Sequence, residues 1–291
     1  MATVYDGPCI QCAPNFSEGR DSDVMETIVA AANTGGRVRV VDWSGDTDHN
    51  RMVVTLVGAP DDVAVAALSM AQTALERIDL ARHHGAHPRL GALDVLPFIP
   101  LSQVTLPECA DLARSVGMQL AEQLDVPVFL YEAAAEGRTL PWIRQHAFVE
   151  LSPDFGPARP HPTGGATVVG ARMPLIAFNV DLGSADLTLA RKIARDVREA
   201  FPGRVRALGM PLTSRGIVQV SMNVVRPAET SLTEIVDFIS ARGPVLRSEL
   251  IGAMPGYIAF ESIRSALKLP DIKPGQVLLE NWPEQNPNVQ Y

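Results

Sequence analysis

The chain has 291 residues, 46% hydrophobic and 20% charged, and carries a formal net charge of −8 from 25 Lys and Arg against 33 Asp and Glu. That balance suits a folded chain of more than one typical domain and argues against disorder. With no Lys/Arg cluster, an acidic chain of this kind does not suit general nucleic-acid binding, so an anionic substrate needs a locally basic pocket. The first twenty residues lack the apolar core of a signal peptide, and no apolar run reaches the ~18 residues of a membrane span. Three cysteines (Cys9, Cys12 and Cys109) are too few for a disulfide framework. A reducing cytosol is the expected home.

In chain order, Cys9-Ile10-Gln11-Cys12 matches C-x-x-C, but Pro8 and Pro14 flank it and the segment reads as a short strand. Thiols three apart in a strand face opposite sides, so ordinary buried cysteines are expected. Strand-like runs follow at 37–43 and 52–57. A helical stripe of Ala67, Met70, Ala71, Ala74, Leu75 and Ile78 covers 61–79. An apolar strand spans 92–99, and a second stripe of Leu112, Val116, Leu120 and Leu124 covers 107–125. Strands at 126–131 and 174–180 come next, then a helix through Ala190, Ile193, Ala194, Val197 and Phe201. The strand 217–224 alternates Val218, Val220, Met222 and Val224 with Gln219, Ser221 and Asn223. Helices through Ile235 and Ile239, and through Ala259 and Ile263, close the chain. Gly35-Gly36 and Pro202-Gly203 are turns that end helices before strands. Residues 9–99 and 174–250 thus share the order strand, helix, strand, strand, helix, strand, the split βαβ or ferredoxin-like unit. The Pro- and Gly-rich stretch 150–173 separates them, which divides the chain into 1–173 and 174–291.

Three of the six histidines fall within five positions, in Arg82-His83-His84-Gly85-Ala86-His87-Pro88-Arg89. His83 and His87 are four apart, as on a zinc-binding helix, but Gly85 and Pro88 oppose a continuous helix, and no metal is expected. General acid–base work fits His87 better, because Pro88 restricts it to extended backbone and fixes its ring. His83 and His84 read as solvated loop residues. The run Asp42 to Arg51 joins two strands and is longer than a plain hairpin requires, so substrate contact and turn chemistry both suit it. Asp154 to Arg172 carries neither a phosphate-binding loop nor a dinucleotide fingerprint. It is either a linker or a loop whose glycines admit a flat ligand.

The segments Cys12-Ala13-Pro14-Asn15-Phe16-Ser17-Glu18-Gly19-Arg20, Asp48-His49-Asn50-Arg51, His87-Pro88-Arg89-Leu90-Gly91-Ala92-Leu93-Asp94-Val95, Asp154-Phe155-Gly156-Pro157 and Gly170-Ala171-Arg172 resemble the glutamate formiminotransferases, in the same order along nearly the whole chain. The resemblance implies an α+β fold of two ferredoxin-like subdomains packed sheet to sheet with helices outside, a homodimer, and tetrahydrofolate as co-substrate in a tunnel between the subdomains. It puts the catalytic histidine on His87. The folate loop falls on Gly156, Pro157, Ala158, Arg159, Pro160, His161, Pro162, Thr163, Gly164 and Gly165. Ser44, Asp48, Asn50, Arg51, Arg89 and Arg172 are the substrate-binding candidates, the arginines for carboxylates. Ser44 stands where animal members carry an aspartate, which leaves formimino and formyl donors both open. A non-catalytic folate-binding role is the remaining alternative. No counterpart of the animal deaminase domain is expected, since the chain ends at Tyr291.

Overall fold

The computed structural model describes residues 7–33 and 37–269. The expected turn at Gly35-Gly36 lies outside the described residues. The chain runs through β1 (Cys9–Cys12), β2 (Asn15–Phe16), α1 (Ser22–Ala30), β3 (Val38–Asp46), β4 (Arg51–Gly58), α2 (Pro60–Arg77), β5 (Leu93–Ser102), α3 (Leu106–Leu124), β6 (Val128–Glu132), α4 (Leu140–His146) and β7 (Thr167–Ala171). It continues through β8 (Ile176–Leu182), α5 (Leu187–Ala200), β9 (Val205–Leu212), β10 (Ile217–Val224), α6 (Leu232–Ser240), β11 (Val245–Ile251) and α7 (Gly256–Ala266).

The helices start where the sequence offers caps. Asp21, Asp186 and Ser231 each accept backbone N–H bonds at a helix start. Thr105 and Glu108 form a reciprocal capping box on α3. Pro60 occupies the first turn of α2, where its missing N–H is not needed, and Asp61 and Asp62 add favourable charge there.

The second sheet has the order β11-β8-β10-β9, all neighbours antiparallel. That is the ferredoxin-like arrangement of βαββαβ. In the first sheet β1 and β2 act as one interrupted strand, since each pairs both β4 and β5, and β3 lies outside β4. The same order results, and the expected echo between the halves is present in the strand pairing. The first sheet is then extended, because β7 adds parallel to β5 and β6 adds parallel to β7.

This extension corrects the linker reading of 150–173. The short run Thr167-Val168-Val169-Gly170-Ala171 is fully buried and is an interior strand. A strand covered on both faces reads as a continuous apolar run without alternation, which is why composition disguised it. Helix α4 was likewise not anticipated.

Each sheet has one helix-covered face. Met52, Val54 and Leu56 pack toward α2 and α3 in the first core, and Val180, Leu182, Val218 and Val220 join Ile193, Val197 and Ile235 in the second. The opposite faces look toward each other: Gly252, after β11, lies against the Thr55 hydroxyl of β4. Polar contacts also join the halves there. Asp48 accepts from the backbone N–H (2.9 Å) and hydroxyl (2.6 Å) of Ser214, and Arg206 pairs with Glu132 at 3.3 Å. Helix α4 is the exception to helices outside, because its Ile143 packs with Val95, Phe129, Tyr131 and Val168 on the face opposite α3.

Cys9 and Cys12 are both buried within β1, as expected. Gly170 sits so close to Tyr131 that a Cβ would enter the Tyr131 carbonyl. Gly170→Ala is therefore expected to destabilise the protein by about 1–3 kcal/mol through forced displacement of β6, read as a lowered urea midpoint.

Candidate functional site

The site begins at the β3–β4 hairpin. Strand β3 continues to Asp46 and β4 starts at Arg51, so the connection is only 47–50, shorter than expected. Ser44 pairs with Val53 and Asp46 with Arg51, which draws the supposed loop into the ladder. Asn50 closes the turn at φ 46°, a left-handed conformation that asparagine tolerates better than most residues. Its side chain is committed locally: Oδ1 accepts from the Gly19 N–H at 2.9 Å, and Nδ2 donates to the His84 carbonyl at 3.0 Å.

Arg89 ties this hairpin to the histidine loop. Its guanidinium donates to the carbonyls of Asn50 (2.9 Å), His49 (2.7 Å) and His87 (2.8 Å), and it contacts the His83 ring at 2.6 Å. Most of its donors serve the backbone, so Arg89 holds the loop in shape. His84 is exposed, whereas His83 is half-buried against Arg89.

His87 is half-buried, and its Nδ1 lies 2.7 Å from the Pro88 carbonyl oxygen. A carbonyl only accepts, so Nδ1 carries the proton in the neutral ring and Nε2 keeps a lone pair. The His49 ring stands 6.0 Å away, centroid to centroid. Burial, followed by the guanidiniums of Arg51 and Arg144, holds the His87 pKa well below the ordinary imidazole value. The resting group is therefore a neutral imidazole whose Nε2 has no hydrogen-bond partner among the described residues and keeps a lone pair for a proton.

Beneath it lies Asp94, whose side chain is completely buried in β5. One of its oxygens, Oδ2, receives Arg51 and Arg144, each at 2.6 Å. The other, Oδ1, accepts the Leu90 N–H at 2.6 Å. Burial alone would raise the carboxyl pKa, but the two guanidiniums and these hydrogen bonds outweigh it and lower it. Arg51 is held from its other side by Asn15, whose Oδ1 accepts from Nε (3.1 Å) and Nη2 (2.8 Å). The Nε of Arg144 is buried without a hydrogen-bond partner.

The run 156–165 is stitched to the histidine loop. Thr163 and Gly164 accept through their carbonyls from the N–H groups of Leu80 and Ala92, and Gly91 bridges Gly165. Within the run, His161 Nδ1 accepts from the Gly164 N–H at 2.9 Å. Gly156 (φ 83°) and Gly165 (φ 67°) take backbone that favours glycine. Ala158, Arg159, Pro160 and Pro162 are exposed, while Pro157 and Thr163 are intermediate. Asp48 is engaged with Ser214, as described. Arg172 lies beyond Ala171, which pairs with Phe98, whereas Asp94 sits at the other end of β5. No contact joins Arg172 to His87. Its guanidinium donates instead to the Met173 carbonyl at 3.0 Å.

The opposing face of the second sheet carries its own polar centre. Asp181, with a fully buried side chain, accepts from Arg215 (2.7 Å), Arg247 (2.8 Å) and Gln219 (2.8 Å). The Gln219 Oε1 is buried and unpaired. Among the described residues, no group of three or more His, Cys, Asp or Glu side chains is arranged to hold a metal.

Sequence reasoning missed Asp94 and Arg144 as site residues. Asp94 left a signal, since a lone carboxylate inside the apolar strand Leu93 to Ile99 requires a partner. Arg144 left none, because its helix has only seven residues and joins the site fifty positions after Asp94.

Comparison with known proteins adds a second line. Residues 9–172 match the family model described as the formiminotransferase domain, N-terminal subdomain. The chain is 38% identical to a glutamate formimidoyltransferase of Streptococcus pyogenes, with 94% of this chain and 97% of the relative covered. It is 35% identical to another of Thermoplasma acidophilum, covering 92% and 95%. A formimidoyltransferase-cyclodeaminase of Sus scrofa is 42% identical over 84% of this chain, which spans 50% of that relative.

Asp94→Asn keeps the shape but removes the charge that two buried guanidiniums share. It is expected to lower stability by about 3–5 kcal/mol, measured by chemical denaturation at neutral pH. Because folding lowers the Asp94 pKa, its contribution is present above the unfolded carboxyl value of about 3.9 and is lost as pH falls through the lower folded value.

Proposed function

The chain belongs to the glutamate formimidoyltransferase family, and from that premise we propose that it moves the formimino group of N-formimino-L-glutamate to N5 of tetrahydrofolate. The observation that carries the reading is His87, a neutral imidazole whose Nδ1 is held by the Pro88 carbonyl, leaving the Nε2 lone pair for a proton, above the Asp94–Arg51–Arg144 cluster. Attack of the acceptor amine on the amidine carbon requires one proton taken from N5 and one delivered to the departing glutamate nitrogen. A single positioned histidine serves both in turn. Holding donor and acceptor together between two sheets supplies the proximity that a two-substrate transfer needs.

Tetrahydrofolate enters as a co-substrate, with no metal. The facing surfaces of the two sheets offer it two walls, one bearing α4 and the run Gly156 to Gly165 stitched to the histidine loop. The other bears the unpaired buried acceptor of Gln219, a fit for a donor-rich heterocycle. Subdomains 1–173 and 174–291, a homodimer and a cytoplasmic setting complete the reading. No helix among the described residues is long and apolar enough to cross a membrane.

The formyl donor is the competing substrate, motivated by Ser44. Purified protein incubated with tetrahydrofolate and either donor, followed by absorbance of the N5-substituted product, separates the two. Faster turnover of the formimino donor is expected, and faster formyl transfer would reassign the reaction. His87→Ala should lower kcat by about 10²–10⁴-fold while leaving the tetrahydrofolate Kd unchanged, and undiminished turnover in the folded variant would remove His87 from the chemistry. Since the free enzyme's His87 pKa is lowered, it stays a base below the usual imidazole value of about 6.5. The acid limb of kcat/KM is expected below that value.

A further inference from the structure

Arg144 so far has only its ion pair with Asp94 and its field on His87, yet its surroundings are incomplete. Asp94 is saturated: one oxygen takes two guanidiniums, and the other takes the Leu90 N–H. Two positive groups and one negative leave a single positive charge at a place where Arg51 and Arg144 side chains are only 11% and 16% exposed. Arg51 turns its remaining edge to Asn15, while Arg144 Nε is buried with nothing to donate to. An unpaired charge and an unpaired donor in a low-dielectric site are both unfavourable, and one oxygen anion would relieve both. Arg144 reaches this position because α4 packs on the inner face of the first sheet, where a substrate held between the sheets would lie.

We propose that Arg144, together with Arg51, binds the α-carboxylate of the amino-acid donor, and that this carboxylate switches on His87. The inference rests on the formimino-transfer reading and adds the residue that recognises the donor. The α-carboxylate is chosen because it is carried on the carbon bearing the leaving nitrogen, where His87 must deliver its proton. Recognition and proton transfer then meet at one point.

The coupling is electrostatic. In the free protein burial first, and then Arg51 and Arg144, oppose a proton on His87, and the Pro88 carbonyl and Asp94 only partly compensate. Among the described residues the other charged or titratable neighbours are the His49 ring and Arg89, whose guanidinium donates to the His87 carbonyl, and no second carboxylate there is in contact with the imidazole. A bound carboxylate cancels the surplus positive charge, so the imidazole gains proton affinity only when the donor is present. Without the donor His87 stays proton-poor. With it, His87 can hold the proton from N5 long enough to pass it to the leaving nitrogen.

The test follows the His87 imidazole by NMR in the full-length protein, labelled at histidine, across a pH titration with no ligand, with L-glutamate and with 4-aminobutyrate, which lacks the α-carboxylate. L-glutamate is expected to raise the His87 pKa by about 1–3 pH units, and 4-aminobutyrate to leave it in place. An unmoved pKa at saturating glutamate, or the same movement with both ligands, would overturn the proposal. This arm needs no mutant and no turnover, so failure of formimino transfer in the donor assay would sink the functional reading separately.

Kinetics of Arg144→Met and Arg144→Lys supply the second arm. Arg144→Met should raise the donor KM by about 10–100-fold, as loss of a hydrogen bond to a charged group predicts, with the tetrahydrofolate KM unchanged. Arg144→Lys, retaining charge without the planar fork, should recover part of that loss. In the wild type the acid limb of kcat, which reports the donor-bound form, should lie at higher pH than that of kcat/KM. A folded Arg144→Met variant with wild-type donor KM, or coincident acid limbs, would equally refute the assignment.

Discussion

A carboxylate buried without solvent in an apolar strand is tolerable only if its surroundings neutralise it, and Asp94 imposes that demand on three separate parts of the chain. It recruits Arg51 from the start of β4 and Arg144 from α4, and it fixes the backbone at Leu90. Each consequence reaches His87. The Leu90 bond anchors the segment that follows the histidine, and the two guanidiniums set the field in which the imidazole titrates. Asp94 itself need not touch a substrate for the site to depend on it.

Arginines divide into two kinds of work here. Arg89 spends its donors on main-chain carbonyls and so converts a glycine-containing loop into a defined shape. Arg51 and Arg144 share a carboxylate, and Arg144 Nε has a donor left over. The second sheet presents a comparable centre, with Arg215 and Arg247 on Asp181, so a buried acid beneath two arginines stands on each of the facing surfaces. Each of these two buried carboxylates is thereby compensated by its own pair of guanidiniums.

Much of this was legible beforehand. The alternation of Val218, Val220, Met222 and Val224 with Gln219, Ser221 and Asn223 marks β10 as a strand with one apolar face, and the helical stripes at 61–79 and 107–125 become α2 and α3. Pro88 after His87 also supplies the carbonyl that meets His87 Nδ1. The hairpin at 47–50 was read as too long because Gly45 and Asp46, usual turn residues, are absorbed into the ladder beside Met52 and Arg51. β7 was hidden by its Pro- and Gly-rich surroundings. Arg144 was invisible for a different reason: contact between positions fifty apart depends on how α4 docks, and no local pattern encodes that. Several motifs were recognisable as a set, whereas the partners that tune them were not.

The interleaving of β7 between β5 and β6 bears on how the chain emerges from the ribosome. β6 precedes β7 in sequence but makes no ladder with β5, so both edges wait for Thr167–Ala171 before they are bridged. During synthesis, β5 and β6 are complete while the strand that joins them is still unmade, and exposed edges of this kind invite wrong pairing. Arg144 is already translated by then, yet the sheet it must dock upon is unfinished. The extended part of the first sheet is therefore joined only when Thr167–Ala171 has emerged.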